Sequence, residues 1–136
     1  MGDLTKNIDR IELQCSCRRC DVRIQDHEPI IKVWQAACDH FAKLHNVDRV
    51  VLTVLSAARC YEYNRLPVSE GGPGSNDNSQ HPRCNAMDGR IKLPTGEQIP
   101  NRNIYDYFDK KYPNRFGIGI YSWGVHADTR ELKGRW

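Results

Sequence analysis

The chain has 136 residues, enough for one domain that buries about two thirds of its unfolded surface without help from disulfides. Its 20 basic and 17 acidic residues leave a net charge of +3, spread along the sequence. That is too mild and dispersed to point to nucleic acid, though compatible with an anionic polymer such as a cell wall. No apolar run approaches the roughly 20 residues that span a bilayer, and residues 1–14 alternate charge with single apolar residues instead of forming a signal-peptide core. One folding unit over residues 1–136, soluble on synthesis, monomeric and without a membrane partner is therefore expected.

Residues 1–14 read as a frayed start ending in the alternating piece Ile11-Glu12-Leu13-Gln14, an expected edge strand. Cys15, Cys17 and Cys20 follow as a CxCxxC cluster. In a chain without an export signal, six cysteines point to thiols or metal ligands more than to disulfides. CxCxxC lacks the paired CxxC…CxxC spacing of a zinc ribbon, so two readings stay open: loop thiols, or a second, structural metal with its fourth ligand among Cys38, Cys60 and Cys84.

From Pro29 to His45, the residues Ile30, Val33, Trp34, Ala37, Cys38, Phe41 and Leu44 recur at three- and four-residue spacing, which predicts the principal helix. Asp26 is its candidate N-cap, and Asn46 its stop. Val47 to Leu55 is rich in β-branched residues and predicts a buried strand ending at Ser56. Residues 67–80 hold Pro67, Gly71, Gly72, Pro73 and Gly74 among Ser, Asn and Asp, a long loop of the kind that carries function. Ala86 to Leu93 is the next strand. Ile104, Tyr105, Phe108 and Tyr112 give a second, shorter helix closed by Pro113, and residues 116–121 and 125–130 an antiparallel pair turning at Ser122-Trp123-Gly124.

His81 and Asp88 sit seven residues apart in the turn-rich region, and His126 and Asp128 two apart on the last predicted strand, where they share one face. A lone histidine is more often a satisfied polar residue than a ligand. Two imidazoles with a carboxylate, however, make three protein ligands and leave a fourth position open, as catalytic zinc sites do. Asp128 has two open roles, general base toward water or orienting partner of His126, and spacing does not separate them.

This pattern resembles the zinc D-alanyl-D-alanine carboxypeptidases, in the VanY-like and phage-type branch whose fold is shared with the hedgehog signalling domain. The family's Ser-x-His-x-x-Gly-x-Ala-x-Asp motif is matched by Ser79, His81, Ala86 and Asp88, with Cys84 in the glycine position. Its Ser-Gly-Tyr-Arg strand end is matched by Ser56-Ala57-Ala58-Arg59, and its Val-His-x-Asp-x-Arg and terminal Arg-Trp by Val125 to Arg130 and Arg135-Trp136. The resemblance runs in order from about Cys15 to Trp136.

The resemblance implies an α+β hedgehog/D-Ala-D-Ala-carboxypeptidase-like fold, a small antiparallel sheet with one long and one short helix packed on it. It implies His81, Asp88 and His126 as ligands of one Zn2+, Arg59 as the group holding a substrate carboxylate or carbonyl oxygen, and Ser79 and Gln80 as contacts to substrate or ligands. Some branches carry a carboxylate base three residues before the last ligand; that position is Trp123 here, so Asp128 is the expected base. The implied activity is zinc-dependent hydrolysis of peptidoglycan stem peptides, as carboxypeptidase or endopeptidase. The alternative is a non-catalytic zinc-containing domain that binds cell wall or protein. Without an export signal, a phage origin is the accompanying expectation, with action on the wall after release or as part of a particle.

Overall fold

The computed structural model describes residues 2–76 and 78–136; Met1 and Asp77, which fall in the expected frayed start and long loop, lie outside the described residues. Helix α1 (Pro29–Leu44) forms where the apolar spacing places it. Its stripe is buried from Ile30 to Phe41, joined by Ile31 and Ala42, but Leu44 is exposed in the last turn. The N-cap is Glu28 and not Asp26. Pro29, whose fixed φ suits the first helical position, starts the helix, while Asp26 pairs with Arg10 at 3.0 Å.

Strands β1 (Val51–Ser56), β2 (Ala86–Lys92), β3 (Gly117–Ile120), β4 (Val125–Asp128) and β5 (Gly134–Arg135) form one sheet in the order β1-β2-β4-β3-β5. All neighbours are antiparallel except β3 and β5, which run parallel. The expected antiparallel sheet is thus a mixed one, because the last residues return to pair with β3. The strand expected over 47–55 begins only at Val51 and lies at the sheet edge, with Val51 exposed, so it is not a buried strand.

Helix α3 (Asn101–Lys111) buries Ile104 and Phe108 as the spacing predicts. A short helix, α2 (Tyr61–Arg65), is an addition to the two expected, making three α-helices among the described residues. The predicted edge strand at 11–14 is instead a 3-10 turn, Arg10–Leu13, followed by a single bridge between Gln14 and Arg23. Nor is the described part of the start frayed. Ile8 and Leu13 are buried, and the Asn7 amide donates to the Val50 carbonyl at 2.6 Å, which anchors the segment beside β1.

The two long helices pack on one face of the sheet. Trp34 and Phe108 meet edge to face at 5.0 Å, in one apolar cluster with Met87, Ile91, Ile118, Val125 and Ala127. Each such large side chain contributes about 1.5–3 kcal/mol by leaving water. The Trp34 indole N–H is satisfied by the Met87 carbonyl at 3.1 Å.

Because strand side chains alternate, Ala86, Asp88, His126 and Asp128 project to the face opposite Met87, Val125 and Ala127. There Asp88 lies directly across from His126, and Ala86 across from Asp128. At the end of β1 the register slips: Val54 opposes Gly89 and Ser56 opposes Asp88, leaving Leu55 as an extra residue. Such a bulge bends its strand. It directs the chain toward Arg59 on the polar face of the sheet.

Candidate metal centre

His81 sits in the 3-10 turn His81–Arg83, which closes through Cys84 in the left-handed region at φ 59° with its N–H on the His81 carbonyl at 3.0 Å. This is the position that the resemblance gives to glycine, the residue that reaches positive φ without penalty. The Nδ1 of His81 lies 2.5 Å from the Ala57 carbonyl. A carbonyl only accepts, so Nδ1 carries the proton, and Nε2 presents a lone pair 3.2 Å from Asp88 Oδ2.

His126 is held by a carboxylate on each side, with Nδ1 2.8 Å from Asp88 Oδ1 and Nε2 2.7 Å from Asp128 Oδ2. Asp88 therefore bridges the two imidazoles, one oxygen to each. All three side chains are buried, and one ligand atom from each lies within 4.8 Å of the others. Two nitrogen lone pairs and a carboxylate converging on one point fit a divalent cation. Without one, Nε2 of His81 and Oδ2 of Asp88 are two acceptors facing each other.

The electrostatics agree. Burial pushes the Asp88 carboxyl up, but the bond to His126 and the adjacent His81 imidazole outweigh it and hold the group well below the usual carboxylate range. Burial likewise opposes a charged His126, and its bonds to Asp128 and Asp88 raise it above its ordinary value nonetheless. Asp128 falls to about 2: burial raises it, while His126 and Arg130 lower it further.

His81, Asp88 and His126 form the floor of an open cavity of about 640 Å³. Arg59, Ser79 and Gln80 line it. Arg59 is braced by three protein contacts: Nε donates to Ser56 Oγ at 3.1 Å, and Nη1 to Asn64 Oδ1 and Ser75 Oγ, each at 3.2 Å. Its Nη2 faces Asp88 Oδ2 at 3.9 Å. Gln80 accepts from the Asn85 amide at 3.0 Å, and Ser79 Oγ from the His81 backbone N–H at 3.4 Å, so both stabilise the turn that carries His81.

Asp128 does not line the cavity. It is fully buried behind His126, where Arg130 grips both its oxygens at 2.7 Å and the Gly117 N–H adds a bond at 3.2 Å. The expectation that Asp128 takes the proton of an attacking water is corrected on this ground: its oxygens are committed and shielded. Of its two open roles, the orienting one matches its position, fixing Nε2 as the protonated nitrogen of His126 and turning Nδ1 toward Asp88.

Cys15, Cys17 and Cys20 are also away from the cavity, gathered instead around Cys60. All six cysteines are free. Several contributors were given no role in the sequence reading. Arg130 braces Asp128. Tyr121 and Trp123 stack at 4.5 Å along the cavity, and Trp136 lies 5.1 Å from the His126 ring with its indole N–H on the Tyr121 hydroxyl at 2.5 Å. Gly117 and Gly119 leave room, since a Cβ on the first would meet the Asp128 carboxylate and on the second the Trp136 indole. Glycine at alternate positions of a strand is the signal that marks such close approach.

Comparison with protein-family models, curated proteins and solved structures found no match for the chain. No helix among the described residues is long and apolar enough to cross a membrane.

Proposed function

We propose that the chain is a zinc-dependent peptidase acting on peptidoglycan stem peptides. The observation that carries this reading is Asp88 set between Nε2 of His81 and Nδ1 of His126 on the floor of an open cavity, with each imidazole fixed from behind by an acceptor. Two histidines and one carboxylate suit zinc with a free coordination position. The ordered match of Ser79, His81, Asp88, His126 and Arg59 to the peptidase motifs supports the substrate class, including a bond that involves a D-amino acid.

The cation, when bound, polarises a carbonyl and lowers the pKa of water toward about 7. The chain's own groups do the rest. Ala57 and Asp128 each hold the outer nitrogen of one imidazole and aim the other nitrogen inward. Arg59 offers Nη2 to a substrate carboxylate or carbonyl oxygen; its other donors are occupied, so the fork is already oriented. Tyr121, Trp123 and Trp136 give the cavity an aromatic wall against which an apolar part of the substrate can lie.

A second reading has a specific observation in its favour. Asp88 is the only carboxylate among the described residues lining the cavity, and Trp123 stands where some peptidase branches carry their base. A metal-dependent domain that binds cell wall or protein without cutting needs no base.

Digestion of purified peptidoglycan by the wild type and by His126→Ala, read by mass spectrometry of the muropeptides, separates the two. Peptidase activity predicts shortened or cleaved stem peptides with the wild type alone, lost on chelation and restored by zinc. Zinc-loaded wild type that pellets with walls but releases no new amino groups supports the binding domain. Iron as the resident metal would contradict the zinc assignment.

A further inference from the structure

We propose a second cation site, a four-thiolate centre formed by Cys15, Cys17, Cys20 and Cys60, which holds the N-terminal loop against the segment that carries Arg59. It lies apart from the first site and stands whether or not that site is catalytic.

The four sulfurs come from two distant stretches of chain yet all lie within 4.8 Å of one another. Sγ of Cys15 is 3.8 Å from that of Cys60, Cys17 is 3.9 Å from Cys60, and Cys17 is 3.4 Å from Cys20. A tetrahedron with metal–sulfur bonds of about 2.3 Å has edges of about 3.8 Å, so this spacing is that of four thiolates around one ion. A disulfide needs about 2.05 Å.

The backbone is arranged to favour negative sulfur. N–H groups of Arg19, Cys60 and Tyr63 point at Sγ of Cys17, Cys15 and Cys60, at 3.4, 3.3 and 3.4 Å. Arg18, in the left-handed region at φ 60°, folds the loop back on itself, and the Cys15 N–H to Val22 carbonyl bond at 2.9 Å closes it at its base. The CxCxxC spacing that does not make a zinc ribbon alone is therefore completed by a cysteine forty residues downstream of the cluster. An all-sulfur set selects a soft divalent ion, zinc foremost, and its closure by four protein ligands makes the site structural. Loading releases the thiol protons to solvent, with no change of oxidation state.

The position of Cys60 gives the site a reach beyond its own loop. It directly follows Arg59 and caps α2, whose Asn64 accepts from Arg59 Nη1. An ion on the thiolates would fix the backbone next to Arg59 and, through α2, the Asn64 side chain that braces its guanidinium.

The test is to purify the full chain under reducing conditions, count its metal, and exchange it for Co2+. The expected result is two ions per chain and an intense thiolate-to-cobalt charge-transfer band. That band should persist in His126→Ala, since the first site offers only nitrogen and oxygen, and fall in Cys17→Ser and Cys60→Ser. X-ray absorption of the zinc form should show sulfur neighbours at about 2.3 Å. The proposal is overturned if the reduced wild type holds no sulfur-ligated metal, or if its intact mass shows a Cys17–Cys20 disulfide in place of one. The wild-type measurements decide the matter even where a cysteine variant fails to fold.

Discussion

The Asp128 carboxylate meets His126 Nε2 at 2.7 Å while both of its oxygens are gripped by Arg130, so the imidazole is aimed from behind by a group that has no path to the cavity. Outer partners of this kind set both the tautomer and the basicity of a ligand. Asp128→Asn should therefore keep all three ligands yet weaken cation affinity by about 10- to 100-fold. Competition with a coloured chelator measures this; unchanged affinity would detach Asp128 from the site.

Gly117 and Gly119 make that arrangement possible from the neighbouring strand. Gly117→Ala would drive a methyl group into the Asp128 carboxylate and Gly119→Ala into the Trp136 indole. Each should destabilise the chain by about 1–3 kcal/mol. Denaturant titration reads the loss, and Gly117→Ala should weaken cation binding as well.

Much of this could be read from residue order alone, and what could not be read has physical causes. The α1 stripe appears in the sequence because helical periodicity reports burial directly, and His81 and His126 stand out because imidazole is a scarce, chemically specific group, five in the chain, with Asp88 and Asp128 at motif spacing beside them. Spacing cannot tell a group facing a cavity from one facing a neighbouring side chain, which is why Asp128 passed for a base. Nor could it reveal that the Gly117 N–H reaches Asp128, since that contact is settled by β3 and β4 lying side by side. β5 and α2 are too short to carry a period, and the fourth thiol at Cys60 was one of three scattered candidates until the fold brought it beside the cluster.

Arg59 reaches the cavity through Nη2 alone, its other donors being held by Ser56, Asn64 and Ser75. Lysine keeps the charge but loses the fork. Arg59→Lys should leave metal content intact and lower kcat/KM on stem peptides by about ten- to a hundredfold, the worth of one charge-assisted hydrogen bond. Steady-state kinetics beside metal analysis checks this; unaltered kcat/KM would remove Arg59 from substrate binding.

Protons compete with the cation. Burial opposes the His126 imidazolium, but bonds to Asp128 and Asp88 raise it above its ordinary 6.5. A raised pKa means that this proton stabilises the cation-free fold below pH 6.5 and that its contribution fades as pH climbs through the folded value. Loading at Nδ1 must expel it. Cation affinity at this site should rise with pH across that window and then level off, with proton release visible as a buffer-dependent binding enthalpy. For Asp128 the sign is reversed, its stabilising contribution being lost as pH falls through about 2.

The most direct test of the central claim is metal stoichiometry of the folded wild type beside folded His126→Ala, counted by elemental mass spectrometry. His81, Asp88 and His126 acting together predict that the variant holds one ion fewer per chain. Equal counts in the two proteins would contradict the account.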